Sequence, residues 1–191
     1  MLITYNGLAQ EVANGTITNV TDDLINGASI DLTLGNCFYL EEPPSKPQYM
    51  REPLLQPAVD LAAKQTLQMY PVHVEDGDPF ILYPGQFCLA STKQKFYLPN
   101  NIAGHVMLKS SGARCGLNHL MAGWADPGWN DSVMTLEFHN CTQHHPIMLR
   151  PGMKVCQMVL WRGEEVPHER SYAVVGQYNS NHTTQPSKGI R

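Results

Sequence analysis

What the chain lacks narrows the field first. Its five cysteines, Cys37, Cys88, Cys115, Cys141 and Cys156, are odd in number and form no CxxC pair, which argues against both a disulfide framework and a zinc ribbon. A reducing, cytoplasmic setting fits that usage. There is no excess of positive charge: 13 Lys and Arg against 17 Asp and Glu leave a net charge of -4, which argues against a nonspecific nucleic-acid binder with a broad basic face. A small anion could still be gripped locally. No apolar run is long enough to span a bilayer, and MLITYNGLAQ has no cationic start ahead of an apolar stretch. The expectation is a soluble, unexported protein, in which sequons such as Asn14 to Thr16 and Asn140 to Thr142 carry no meaning. The phosphate loop GxxxxGK[ST], the GxGxxG turn and the GxSxG elbow are all missing, as is any internal repeat. His73-Val74-Glu75 matches the HxE half of the zinc nucleobase deaminase signature, but the PCxxC half is absent, so a zinc deaminase is disfavoured. His144-His145 reads as a polar turn rather than a metal site, because neighbours on a strand face opposite ways.

What is present reads as short strands and turns. With 191 residues and 42% hydrophobic content, one domain with a sizeable core is the default, over residues 1–175. SIDLTLGNCFYL (residues 29–40) alternates apolar and polar residues before a Gly-Asn turn, and PFILYPGQFCLAST (79–92) does so around Pro84-Gly85. Further strands are expected at 103–108, 132–140, 146–149 and 154–161, with Asp126-Pro127-Gly128 and Pro151-Gly152 as punctuation. Two helical candidates stand out: a short N-terminal piece ending near Asn26, and residues 59–68. The segment 41–57 carries five prolines and reads as a surface excursion. The tail, 176–191, is polar and turn-rich, and by composition it is a disordered end.

Three stretches carry chemistry. LKSSGARCG (108–116) places Lys109, Ser110, Ser111 and Arg114 together. Either the serine caps a helix start that holds an anion, or the stretch is a plain cap beside a solvated arginine. AGWADPGW (122–129) sets Asp126 in a tight turn. TLEFHN (135–140) puts Glu137 in an alternating strand, where it is either simply exposed or a general base facing a shared cleft.

Taken with INGASIDLTLGN, FILYPGQFCLAST and LRPGMKVCQM, these stretches resemble, in order and spacing, the dCTP deaminase family of the dUTP pyrophosphatase superfamily. The resemblance implies an all-β, β-clip or distorted jelly-roll barrel with a few short helices. It also implies a homotrimer with active sites between subunits, and a Mg²⁺-bound deoxynucleoside triphosphate as substrate, with no zinc. Residue by residue, it implies Glu137 as catalytic base, Ser110 and the carbonyl of Ala122 on the reacting water, Arg114 for charge, and Asp126 on the deoxyribose. Base selection falls to Met121, Ala122 and Gly123, and the phosphates to Lys109 and Ser111. The water attacks C4 of cytosine, and Glu137 takes its proton and returns one to the ring and the departing ammonia.

The departures from the family pattern are informative. The monofunctional Ala-His-Arg-Ile-Asp is here Ala122-Gly123-Trp124-Ala125-Asp126, closer to bifunctional members that carry dCTP on to dUMP and pyrophosphate. In that step Asp126 would orient water towards the α-phosphate. Lys109 replaces the family's arginine and loses its fork. One extra residue between Trp129 and Glu137 calls for a bulge. In the tail, Gln177-Tyr178 and then Asn181 stand where the family has Lys-Tyr and Gln, so Lys188 or Arg191 would supply the charge, with Tyr172 on the sugar or phosphate side. On that reading the tail is a lid that orders on binding. Three functions stay open: dCTP deamination with or without pyrophosphate release, dUTP or dCTP pyrophosphatase activity alone, and a nonenzymatic nucleotide-binding trimer. dTTP is a candidate inhibitor.

Overall fold

Period-two patterning governs the long strands. Along Asn130–Asn140, the residues Ser132, Met134, Leu136, Phe138 and Asn140 are buried while those between them are half-buried, as expected of a strand with one face on the core. The computed structural model describes residues 1–43, 57–75 and 77–190, so the proline-rich excursion expected over 41–57 lies almost wholly outside the described residues.

In chain order the elements are α1 (Tyr5–Ala13), β1 (Ile17–Thr18), β2 (Ile30–Thr33), β3 (Cys37–Glu41), β4 (Met69–His73), β5 (Phe80–Leu82), β6 (Phe87–Tyr97), β7 (Ile102–Leu108), α2 (Ser110–Arg114), β8 (Leu117–His119), β9 (Trp124–Ala125), β10 (Asn130–Asn140), β11 (Ile147–Leu149), β12 (Lys154–Arg162) and α3 (Tyr172–Val175). Among the described residues the strands form a six-stranded sheet, β4-β3-β6-β10-β8 with β1 added to β6, a four-stranded sheet, β2-β12-β7-β9, and the ribbon β5-β11. The protein is therefore mainly β with a few short helices, but hydrogen bonds do not close its sheets into a barrel. Among the described residues no helix is long and apolar enough to cross a membrane.

One hydrophobic cluster joins the sheets. Phe38, Phe96, Leu136 and Phe138 from the larger sheet meet Ile30, Leu32, Met158 and Leu160 from the smaller, and Phe38 stacks on Phe80 of the ribbon at 4.1 Å between centroids. Each such side chain stabilises the fold by about 1.5–3 kcal/mol relative to exposure. Gly35 and Asn36 divide the stretch 29–40 between the two sheets. There Gly35 donates to the Ser91 carbonyl at 2.7 Å, and a Cβ would sit 2.9 Å from the Ser91 hydroxyl.

Two helix expectations are corrected. The N-terminal helix stops at Ala13, with Gly15 at φ +79° just beyond it, and residues 22–24 form only a single tight turn. Residues 59–68 are not a helix. The Asp60 carboxylate takes the Ala62 and Ala63 amides, the Gln65 side chain takes the Asp60 amide, and Lys64 at φ +59° stops propagation. These side-chain bonds offer the backbone an alternative to helix. The bulge is present: Asn130 and Ser132 pair with successive residues Tyr97 and Phe96, leaving Asp131 unpaired in the ladder at φ +51°.

Candidate active site

Glu137 lies on the β10 face turned away from the core, with Val133 and Thr135. That face is not open to solvent, because the chain beyond α3 runs across it. Val133 donates to the Asn181 carbonyl at 2.8 Å, Gln185 donates to the Thr135 hydroxyl at 3.1 Å, and the buried Thr184 hydroxyl donates to the Cys37 carbonyl at 2.6 Å. Between tail and sheet lies a cavity of about 400 Å³, within the range of small-molecule sites. One wall is apolar, formed by Leu67, Met69, Phe87 and Leu89. The other carries Ala122, Trp124, Asp126, Glu137, Tyr172, Tyr178 and Asn181.

The Glu137 side chain is 25% exposed, and its Oε2 lies 3.3 Å from the Nε2 of His119. Both atoms are buried, and among the described residues neither has a hydrogen-bond partner. Burial pushes the Glu137 carboxyl up to about 7, and burial together with the nearby His105 pushes the His119 imidazole down to about 4. Both shifts favour the neutral form, as expected where water is excluded. The result is a carboxyl able to take and return a proton near neutral pH.

Backbone geometry brings Ala122 to the same cavity as Glu137. β8 pairs with the end of β10, Leu120 donates to the Glu137 carbonyl at 3.2 Å, and Met121 donates to the His119 carbonyl at 2.7 Å in a turn that holds Met121 at φ +62°. Gly123 follows, its carbonyl accepting from Val106 at 2.8 Å. A Cβ there would lie 2.3 Å from Val106 Cγ1 and 2.6 Å from the Val106 carbonyl oxygen, so only glycine permits the contact. Asp126 is held by the indole of Trp124, which donates to its Oδ1 at 2.8 Å. Trp129 stacks on Phe96 and donates to the Tyr178 carbonyl at 2.8 Å, fixing the tail. Ser171 caps α3, and the Tyr172 amide donates to the Pro127 carbonyl at 3.0 Å. Burial raises the Tyr172 phenol above its ordinary range.

Of the residues singled out in the sequence, Glu137, Ala122, Trp124, Asp126, Tyr172, Tyr178 and Asn181 line this cavity. Met121, Gly123, Gln177 and Lys188 border it without lining it. The Lys188 ammonium donates to the Gln177 carbonyl at 2.9 Å and sits 5.1 Å from the centroid of the Tyr178 ring. Lys109, Ser110, Ser111 and Arg114 do not line it. They form the exposed five-residue helix α2 and the residue before it. The expected serine cap is corrected: Lys109 occupies the cap position, no side chain caps the helix, and Ser110 is the first helical residue. Lys109 Nζ lies 2.6 Å from Asp31 Oδ1. The residues that sequence reasoning missed are His119 and the apolar wall. For His119 the sequence signal is only its place just ahead of the AGWADPGW stretch; its burial is a finding of the structure.

Comparisons with known proteins show the family. The profile of the family described as dCTP deaminase-like matches residues 4–163. A protein of Acidothermus cellulolyticus named "dCTP deaminase, dUMP-forming" is 39% identical over 175 residues, covering 90% of this chain and 85% of its own. A protein of the same name from Mycobacterium tuberculosis is 36% identical over 172 residues, with coverages of 85% and 80%. The crystal structure of 2'-deoxycytidine 5'-triphosphate deaminase from Agrobacterium tumefaciens superposes with a TM-score of 0.63 at 16% identity. That match covers 85% of this chain and 49% of the solved one, so the chain spans about half the length of that protein, and the likeness speaks for the fold alone. The β-sheet fold is one shared with a solved nucleotide deaminase. The chain belongs to the dCTP deaminase-like family.

Proposed function

We propose that the protein hydrolytically deaminates dCTP and carries the product on to dUMP and pyrophosphate. The observation that carries this reading is the Glu137 carboxyl, raised to about 7 at the wall of a nucleotide-sized cavity. The two 36–39% identical relatives are named for the same overall conversion. In the first step Glu137 takes a proton from water as the oxygen bonds to C4 of the cytosine. It gives that proton to the ring nitrogen, then takes the remaining proton of the C4 hydroxyl as the carbonyl forms and passes it to the amine, which leaves as ammonia. The Ala122 carbonyl and the Ser110 hydroxyl orient the water, and backbone groups of residues 121–123 select the pyrimidine. In the second step Asp126, steadied by Trp124, orients a second water towards the α-phosphate, and pyrophosphate departs.

Among the described residues the cavity lining contains two carboxyl groups, Asp126 and Glu137, and no lysine, arginine or histidine. A triphosphate calls for more cationic groups than this lining offers. The reading therefore places α2 of an adjacent subunit, with Ser110, Ser111 and Arg114, against the cavity, in a homotrimer with shared sites. Mg²⁺ enters as part of the substrate and neutralises phosphate charge, so no resident metal cage is required. The tail, from Gln177 to Lys188, acts as the lid.

The test is product analysis after incubating the protein separately with dCTP and with dUTP in the presence of Mg²⁺. Release of ammonia, dUMP and pyrophosphate from dCTP is the expected result. Pyrophosphate without ammonia would reassign the protein as a pyrophosphatase, and binding without turnover would make it a nucleotide sensor.

A further inference from the structure

Lys109 stands where the family pattern has arginine, and each of its polar groups is committed within its own chain. Its amide donates to the Val155 carbonyl at 3.0 Å, and its carbonyl accepts from Gly112 at 3.0 Å and Ala113 at 3.2 Å. Its ammonium reaches Asp31 Oδ1 at 2.6 Å. The Asp31 side chain is 5% exposed. It also accepts from the Asn26 amide at 2.9 Å, and its second oxygen lies 3.9 Å from Lys154 Nζ, which itself bonds the Asp23 carboxylate at 2.9 Å. A carboxylate at that depth persists only with partners of this kind.

At its other end α2 runs into β8, where the Gly116 carbonyl accepts from Cys141 at 2.8 Å. None of its residues is buried, and Gly112 faces Leu117 and Leu108. Ser110 follows directly on Lys109, so the direction in which α2 leaves β7 depends on the Asp31 ion pair as well as on the Lys109 backbone bonds.

We infer that Asp31 is a positioning residue for the reaction. Through its ion pair with Lys109 it aims α2, so that Ser110 and Arg114 meet the water and carboxyl of the site they serve. Lys109 acts as the anchor of α2 rather than as a free ligand for phosphate. A compact ammonium suits a single carboxylate oxygen, which accounts for lysine in place of the forked guanidinium. The inference rests on the proposed role of Ser110 and Arg114.

The experiment is a double-mutant cycle with Asp31→Asn, Lys109→Met and the pair together, measuring kcat and KM for Mg-dCTP alongside thermal midpoint and assembly mass. Each single change is expected to lower kcat about tenfold through lost orientation while KM moves by less than about threefold. The double variant should be no worse than the poorer single, because the two residues act as one unit. Lys109→Arg should recover part of what Lys109→Met loses. Two outcomes overturn the inference: Lys109→Met raising KM while Asp31→Asn leaves kinetics untouched, which makes Lys109 a phosphate ligand, or losses that merely track the fraction of folded protein. Ser110→Ala and Glu137→Gln run in parallel. If they retain full turnover the functional reading fails; if they are inactive and Asp31→Asn is not impaired, only the aiming role falls.

Discussion

A carboxyl poised near neutrality has a thermodynamic signature as well as a catalytic one. Glu137 ionises near 4.5 when unfolded and near 7 in place, so between those values the folded protein binds more protons than the unfolded chain. The wild type should therefore lose stability relative to Glu137→Gln as pH rises from 4.5 to 7, by at most about 1.4 kcal/mol per pH unit. Denaturant unfolding of both proteins at several pH values checks this, and a flat difference would mean that the carboxyl is ionised and paired in the native state. The same substitution should lower deamination by at least about 10²-fold with triphosphate binding retained, measured as ammonia release against isothermal titration. His119, held neutral at about 4, contributes in the opposite direction. Its stabilising effect is fully present above about 6.5 and is lost as pH falls towards 4.

At the scale of elements, the tail converts a strand face into a site. Removing the residues after Gly176 should raise KM for dCTP by about tenfold or more, since the cavity loses its cover, and initial-rate kinetics on the truncated chain test it. Thr184→Val removes the hydroxyl that bonds the Cys37 carbonyl with little change in side-chain size. It should raise KM in the same direction by a smaller factor, with the thermal midpoint nearly unchanged. This element also shows where sequence reading stops. Alternation along residues 132–140 correctly put Glu137 opposite the core, and the extra residue after Trp129 correctly called for a bulge. Periodicity reports which way a side chain points and says nothing of what covers that side. The cover comes from residues about forty positions later, whose polar composition alone reads as a disordered end. Residues 59–68 misled for a related reason: Asp60 and Gln65 bond their own backbone, a local competition that helix propensity does not register.

At the scale of the molecule, the chemistry divides between two surfaces of one chain. Glu137 and Ala122 belong to the cavity, whereas Ser110 and Arg114 ride on an exposed helix outside its lining. If sites form between copies, two inactive variants should repair each other. Glu137→Gln mixed with Arg114→Ala, unfolded and reassembled together, should regain about a quarter of wild-type activity by random assortment in a ring of subunits. Activity of the mixture no higher than that of either variant alone would place both halves of the site within one subunit.

The meeting of Gly123 with Val106 also bears on how this loop can diverge. A side chain at 123 collides with the carbonyl of β7 as well as with a side chain, and no substitution at 106 can remove a carbonyl. A histidine at this point, as in the monofunctional pattern, therefore requires the backbone of the loop or of β7 to move. The loop and its neighbouring strand are constrained as a pair, and grafting Ala-His-Arg-Ile-Asp here is expected to shift the segment 121–123 together with β7.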